Sequence, residues 1–418
     1  MRRTVLTTQG KSSGGAIVEI AGVAVPSTLL TRPEAFGGRP VGDCRVGTLL
    51  VSGGQVMGMR ADPDAARMMV LPRLAEAHVH LDKCHTIDRL SDVGGDLAAA
   101  AEAQKADRAL WTREDLTRRM RRGLEEAVRA GCGVVRTHID WDMGVPLAWE
   151  VARVLASDTD GIVLQPAALT GIDRMADPAT AEAVAREVAR DGGVLGGFVL
   201  NHPLRREGIR NLFALADRFG LALDFHVDEG LEPDLDGLEL IIESARVCGH
   251  EGPVLCGHAC SLASRPDDDV ACLADGLAET GIAVAALPTT NLYLQGRKSG
   301  TPVRRGLTRV HELMARGVDV IIGTDNVRDA FCPIGVHDPR HSLSVGVLAA
   351  HLDPPFADHL PMITTTARKA LGLPVHTVDA APLTDLICFD APDTATLLSG
   401  APAPQPLTDF MKGETCNG

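Results

Sequence analysis

Long apolar runs are missing from this 418-residue chain. None approaches the ~20 residues of a membrane span, so a transmembrane helix is excluded. The stretch from Met1 to Gly15 is short on apolar residues and has no signal-peptide core, which predicts a cytoplasmic protein. A positive charge balance is also absent. The formal net charge is −14, which argues against nucleic acid and against an anionic membrane surface as partners. The ten cysteines include no CxxC pair. Cys256 and Cys260 flank His258, but free buried thiols are the expectation for a cytosolic chain. Lysine is scarce, 6 against 35 arginines, and none occurs between Lys105 and Lys298. A site built from that stretch therefore has no lysine to use.

What is present begins with 45% hydrophobic residues, enough for a sizeable core. Residues 1–70 are rich in Gly, Val, Pro and Thr. Segments such as 16–20 and 47–51 predict short strands around the Ser52-Gly53-Gly54 turn. From residue 71 helical patterns alternate with apolar runs. Helices are predicted over 113–130, 181–190, 210–219, 238–247, 269–280 and 309–316. After a first strand ending at the paired histidines, strands are predicted over 133–138, 161–165, 194–200, 221–226, 254–258, 282–287 and 318–325. Alternation implies a parallel sheet, and eight strands suggest closure. The predicted fold is α/β, a (β/α)8 TIM-like barrel over 71–372. A small β-sandwich domain is predicted from 1–70 with 373–418, with 385–389 as its returning strand. The last eight or so residues are expected to fray.

His78 and His80 lie two apart on a predicted strand, so both project from one face. His226 and Asp325 end later strands. Three imidazoles and a carboxylate on one barrel rim suit a hydrolytic metal, which needs three or four ligands and a position for water. A lone histidine here would more simply be a hydrogen-bonded core residue; it is the set at successive strand ends that favours a metal. Glu229, three residues after His226, is placed to carry a proton, although a solvated loop acid beside Asp228 is the simpler alternative. His258 is a candidate to orient or deprotonate the water together with Asp325, against a structural rim histidine. His138 and Asp140 also end a strand without an evident task. Lys83 stays open between a substrate contact and a salt bridge. The lysine gap removes the design in which a carbamylated lysine bridges two metals, and so favours a mononuclear site.

These residues resemble the amidohydrolase superfamily, and more closely its cytosine deaminase branch. The resemblance runs through residues 78–82, 135–140, 226–229, 257–258, 291–297, 304–310 and 323–329. The Leu294-Gln295-Gly296-Arg297 and Arg304-Arg305-Gly306 stretches are the most specific. It implies one divalent ion, Zn or Fe, held by His78, His80, His226 and Asp325. It also implies Glu229 as proton shuttle, and His258 with Asp325 as activators of water. Leu169, Asn326, Lys83 and Gln295 would face a small heterocyclic substrate. Two departures bear on that substrate. Leu169 stands where cytosine deaminase has a glutamine that recognises the pyrimidine amide edge, and Asn326 where it has a second aspartate; enzymes similar to N-isopropylammelide amidohydrolase share the latter. The implied activity is hydrolytic deamination of an amino-substituted N-heterocycle such as cytosine, isocytosine or an s-triazine. A cyclic-amide ring-opening hydrolase and a non-catalytic barrel are the alternatives. The first is disfavoured by the lysine gap and the second by retention of every expected ligand. A homo-oligomer is expected on general grounds.

Overall fold

The computed structural model of the protein describes residues 17–410 apart from 92, 160 and 299. The segments on which the signal-peptide and fraying expectations rest, 1–15 and the last eight residues, lie outside the described residues.

Eight parallel strands form one sheet in chain order. They are β1 (Leu74–Val79), β2 (Cys132–Asp140), β3 (Val163–Gly171), β4 (Val194–Val199), β5 (Leu223–Val227), β6 (Val254–His258), β7 (Ala283–Ala286) and β8 (Val320–Ile322). A bridge between Val79 and Asp325, with the Asp325 amide donating to the His78 carbonyl at 2.8 Å, brings the two edges together. The expected barrel is therefore what the structure shows. Outer helices follow the strands. The one over Arg113–Ala130 begins where the Thr112 hydroxyl accepts from the Asp115 amide and ends at Gly131 with φ 99°, a cap geometry that glycine adopts without strain.

The barrel interior is filled rather than open. Toward the N-terminal ends of the strands, Val134, Leu255, Ala283, Ala285 and Ile321 pack with Ala367 and Leu371, as in barrels of this kind. Above that plug lies a buried polar layer. Arg136 bonds Asp224 at 2.9 Å, Gln165 at 2.9 Å and the Leu371 carbonyl at 3.2 Å. The histidines sit next along the strands.

Both ends of the chain build a separate seven-stranded mixed sheet. Its strands include Val18–Pro26, Cys44–Ser52 and Gln55–Ala61 from the front of the chain and Leu386–Phe389 from the back. Met68–Pro72 belongs to this sheet, paired with Leu386–Phe389, while Leu74–Val79 opens the barrel. One apolar stretch of sequence is thus split between two sheets.

Candidate functional site

Strand geometry places the first ligand pair. His78 lies in β1 and His80 just beyond it, with Glu76 two residues before. Buried Glu76 accepts from the amides of Thr324 (3.1 Å) and His78 (3.3 Å). It thereby ties β1 to the segment after β8. His226 comes from β5, in register with Gly257 of β6. At the ends of β5, β6 and β8 the backbone leaves the extended conformation. Asp228 (φ 51°), His258 (φ 72°), Ala259 (φ 48°) and Asp325 (φ 59°) are left-handed. Such non-glycine residues cost on the order of 1–2 kcal/mol each, and the strain concentrates where side chains are aimed at the barrel mouth.

The donor atoms converge. His226 Nε2 lies 3.0 Å from His80 Nε2 and 3.1 Å from His78 Nε2. Asp325 Oδ1 lies 3.3 Å from His80 Nε2 and 3.7 Å from His78 Nε2. All four residues are buried. Three ring-nitrogen lone pairs and a carboxylate facing one point, with no donor among them, repel unless a cation sits between them. Their separations match the ~3.3 Å between ligands of a tetrahedral ion with ~2.0–2.1 Å bonds. The donor set fits a divalent metal. Burial, and then the neighbouring charges, hold all three imidazoles well below the usual histidine range, in the neutral form a metal needs. Burial and the nearby Asp329 push the Asp325 carboxyl up to about 7.

His138 shares this cluster. Its ring lies against that of His78, tilted by 35° with 4.0 Å between centroids, while its Nε2 lies 3.0 Å from Asp224 Oδ1. Through Asp224 it is linked to Arg136, so the layer beneath the site braces the histidine platform. The residues without an evident task in sequence thus have partners here. Asp140 forms ion pairs with Lys83 (2.7 Å) and Arg108 (2.6 Å).

Glu229 and His258 stand over the platform. His258 Nδ1 is 3.5 Å from Glu229 Oε1 and 4.0 Å from Asp325 Oδ2. Asn291 Nδ2 donates to that same Nδ1 at 3.0 Å. Burial, followed by the charge on Asp325, raises the Glu229 carboxyl well above the usual range, so it can hold a proton near neutrality. Burial brings the His258 imidazole down to about 3, which leaves it a neutral base.

The four residues expected against substrate all line one cavity of about 1210 Å³. Lys83 Nζ also lies 3.1 Å from His80 Nδ1. Burial opposes its charge, but Asp140 and Asp82 outweigh that and raise its pKa. The amide of Gln295 donates to the Glu229 carbonyl at 3.2 Å, and that of Asn326 to Asp329 at 2.7 Å. Leu169, in β3, is among the apolar residues that line the cavity, with Phe198, Leu200 and Phe331. Sequence reasoning passed over both phenylalanines, because nothing local marks them, and gave Asn291 no role although it opens the 291–297 stretch. Glu76 did carry a signal, the same two-residue spacing that joins His78 to His80.

Comparison with known proteins matches the amidohydrolase family over residues 93–394. A pterin deaminase of Rhizobium rhizogenes is 35% identical over 346 residues, covering 81% of this chain and 79% of its own. The 5-methylcytosine deaminase of Klebsiella pneumoniae, solved with 5-fluorocytosine, superposes with a TM-score of 0.78 at 25% identity over 93% of this chain and 96% of its own. N-isopropylammelide isopropylaminohydrolase of Burkholderia multivorans shares the fold, with a TM-score of 0.67 at 21% identity over 91% and 95%. The chain belongs to the amidohydrolase family, enzymes that hydrolyse carbon–nitrogen bonds other than peptide bonds.

Proposed function

We propose that this enzyme hydrolytically removes the amino group of a 2-amino-4-oxo nitrogen heterocycle, the ring of isocytosine and one half of a pterin. The observation that carries this reading is the cavity. At about 1210 Å³ it exceeds the ~300–1,000 Å³ of sites that enclose drug-sized ligands, which leaves room for a second fused ring. Its wall at Leu169 offers apolar contact where a cytosine-recognising amide would stand. The 35% identity with a pterin deaminase supports the same substrate class.

One divalent ion, zinc or iron, is assigned to His78, His80, His226 and Asp325. Such an ion, when bound, polarises the ring and makes water a stronger acid. The chain's own residues do the rest. His258 and Asp325 face the attacking water and draw a proton from it. The oxygen adds to the amino-bearing ring carbon as its C=N π bond opens and the ring nitrogen takes up a proton. Glu229 delivers a proton to the departing nitrogen, the C–N bond breaks, the added hydroxyl gives up its remaining proton to the carboxylate so formed, ammonia leaves and a carbonyl remains. Lys83 and Asn326 border the ring, and Gln295 holds the Glu229 backbone. Residues 71–372 are read as the catalytic unit and 1–70 with 373–418 as the small β unit. The setting is read as cytoplasmic and homo-oligomeric, without nucleic-acid or membrane partners. The net charge of −14 argues against nucleic-acid and anionic-membrane partners, and among the described residues no helix is long and apolar enough to cross a membrane.

The test is a panel of pterin, isocytosine, cytosine and N-alkylammelides with zinc- and iron-loaded protein. Ammonia release fastest on the 2-amino-4-oxo rings is expected. Amine release from ammelides alone, or water addition without loss of nitrogen, would replace this reading with triazine hydrolysis or ring opening.

A further inference from the structure

Outside the active site, a second group of metal-ligating side chains comes together from distant parts of the chain. Cys84 and His85 lie in the segment after β1, and His337 just before the helix Pro339–Ala350. One ligand atom from each lies within 4.8 Å of the other two. Cys84 and His337 are 0% and 1% exposed, and the His85 side chain is 3% exposed.

Buried histidines are ordinarily hydrogen-bonded. Among the described residues neither ring nitrogen of His337 has a hydrogen-bond partner, and neither has His85 Nδ1. Leaving such atoms unsatisfied carries the desolvation penalty of burial with no compensating bond. Glu126, from the helix Arg113–Ala130, brings a carboxylate to the group. Its Oε1 is 3.5 Å from His85 Nε2, and its Oε2 has no partner. The helix makes room for the imidazole at Gly123. A Cβ there would lie 2.9 Å from His337 Nε2 and 2.7 Å from Leu81 Cδ2. The Cys84 thiol donates to the carbonyls of Leu81 (3.2 Å) and Arg119 (3.5 Å).

We propose that Cys84, His85 and His337 form a second divalent-metal site of the zinc class, with Glu126 supplying further negative charge. One thiolate and two imidazoles are a donor set that zinc and cobalt accept. Ligand atoms of a tetrahedral zinc lie ~3.3–3.7 Å apart, so side-chain movements on the order of 1 Å close the set. The ion takes the place of the Cys84 thiol proton, which passes to solvent as the thiolate binds. The site ties the loop after β1, which carries His80 and Lys83, to the loop after β8, which follows Asp325. Those loops flank the seam that closes the barrel, so the second ion would be structural. This inference stands apart from the substrate reading.

Cobalt separates the two centres, because no sulfur belongs to the catalytic ligand set. Full-length protein loaded with Co(II) should hold a second equivalent per chain and show a thiolate-to-cobalt charge-transfer band in the near ultraviolet. Cys84→Ser and His337→Asn should each lose the band and one equivalent while keeping the other. A wild-type protein with a single equivalent and no band would overturn the proposal. So would a band and a second equivalent that persist in both variants. If a variant does not fold, the wild-type spectrum and stoichiometry decide.

Discussion

Gly257→Ala is the substitution that most sharply tests the geometry beneath the candidate metal site. Gly257 lies in β6 beside His226, and a Cβ there would stand 2.7 Å from His78 Cε1 and 3.1 Å from His78 Nδ1. Ordinary contact between carbons begins near 3.5 Å, so the ring would have to retreat by about 0.8 Å. It has nowhere to go. The His78 ring is buried, with the rings of His138 and His226 at 4.0 and 4.5 Å between centroids. Overpacking of this kind costs roughly 1–3 kcal/mol. Metal–ligand distances tolerate only about 0.2 Å, so metal binding should suffer more than folding. The expected result is a protein that folds, is less stable by that amount in urea and retains well under one catalytic metal per chain. Its turnover should fall by at least about 100-fold, equivalent to ~2.7 kcal/mol. Metal analysis beside denaturant titration of metal-free protein measures both effects. Full metal content with wild-type turnover would refute the placement of His78 in the ligand set.

Three further outcomes follow from the same structure. Glu229→Gln keeps the side-chain volume and lies outside the four ligands, so turnover should drop by about 10²–10⁴ with metal content unchanged; steady-state kinetics and metal analysis check this, and a near-wild-type rate would remove Glu229 from proton transfer. Leu169→Gln places an amide on the apolar wall and should raise the kcat/KM ratio of cytosine over pterin by about tenfold or more; an unchanged ratio would mean that this wall does not face the ring. Arg136→Met leaves Asp224 without its 2.9 Å partner in the buried layer, which should cost about 3–5 kcal/mol; a urea midpoint close to wild type would show that the layer does not brace the barrel.

The site was legible in sequence to the extent that its chemistry is local. His78 and His80 declare themselves by two-residue spacing, and His226 with Glu229 by position at a strand end. The alternation of elements was enough for the barrel, but the boundaries were less readable. The helix Arg205–Phe219 starts five residues before the expected 210, because Arg205, Arg206 and Glu207 hide its first turn. The last barrel strand spans only Val320–Ile322, shorter than the expected 318–325, since the chain turns left-handed at Asp325 to aim the carboxylate. Long-range features had no local mark. The Arg136–Asp224–His138 layer joins β2 to β5, and Phe198 and Phe331 meet only across the cavity. The cluster of Cys84, His85 and His337 spans most of the barrel sequence, so no spacing rule could have assembled it.

The central claim is that the chain replaces an amino group with solvent oxygen on an intact ring. Incubating metal-loaded enzyme with pterin in ¹⁸O-labelled water, with mass spectrometry of the product and an ammonia assay, tests it most directly. The account predicts a ring product that has lost one nitrogen and gained one labelled oxygen, with ammonia released in equal amount and no reaction after chelation. A product that retains every nitrogen and has gained a whole water molecule would contradict it.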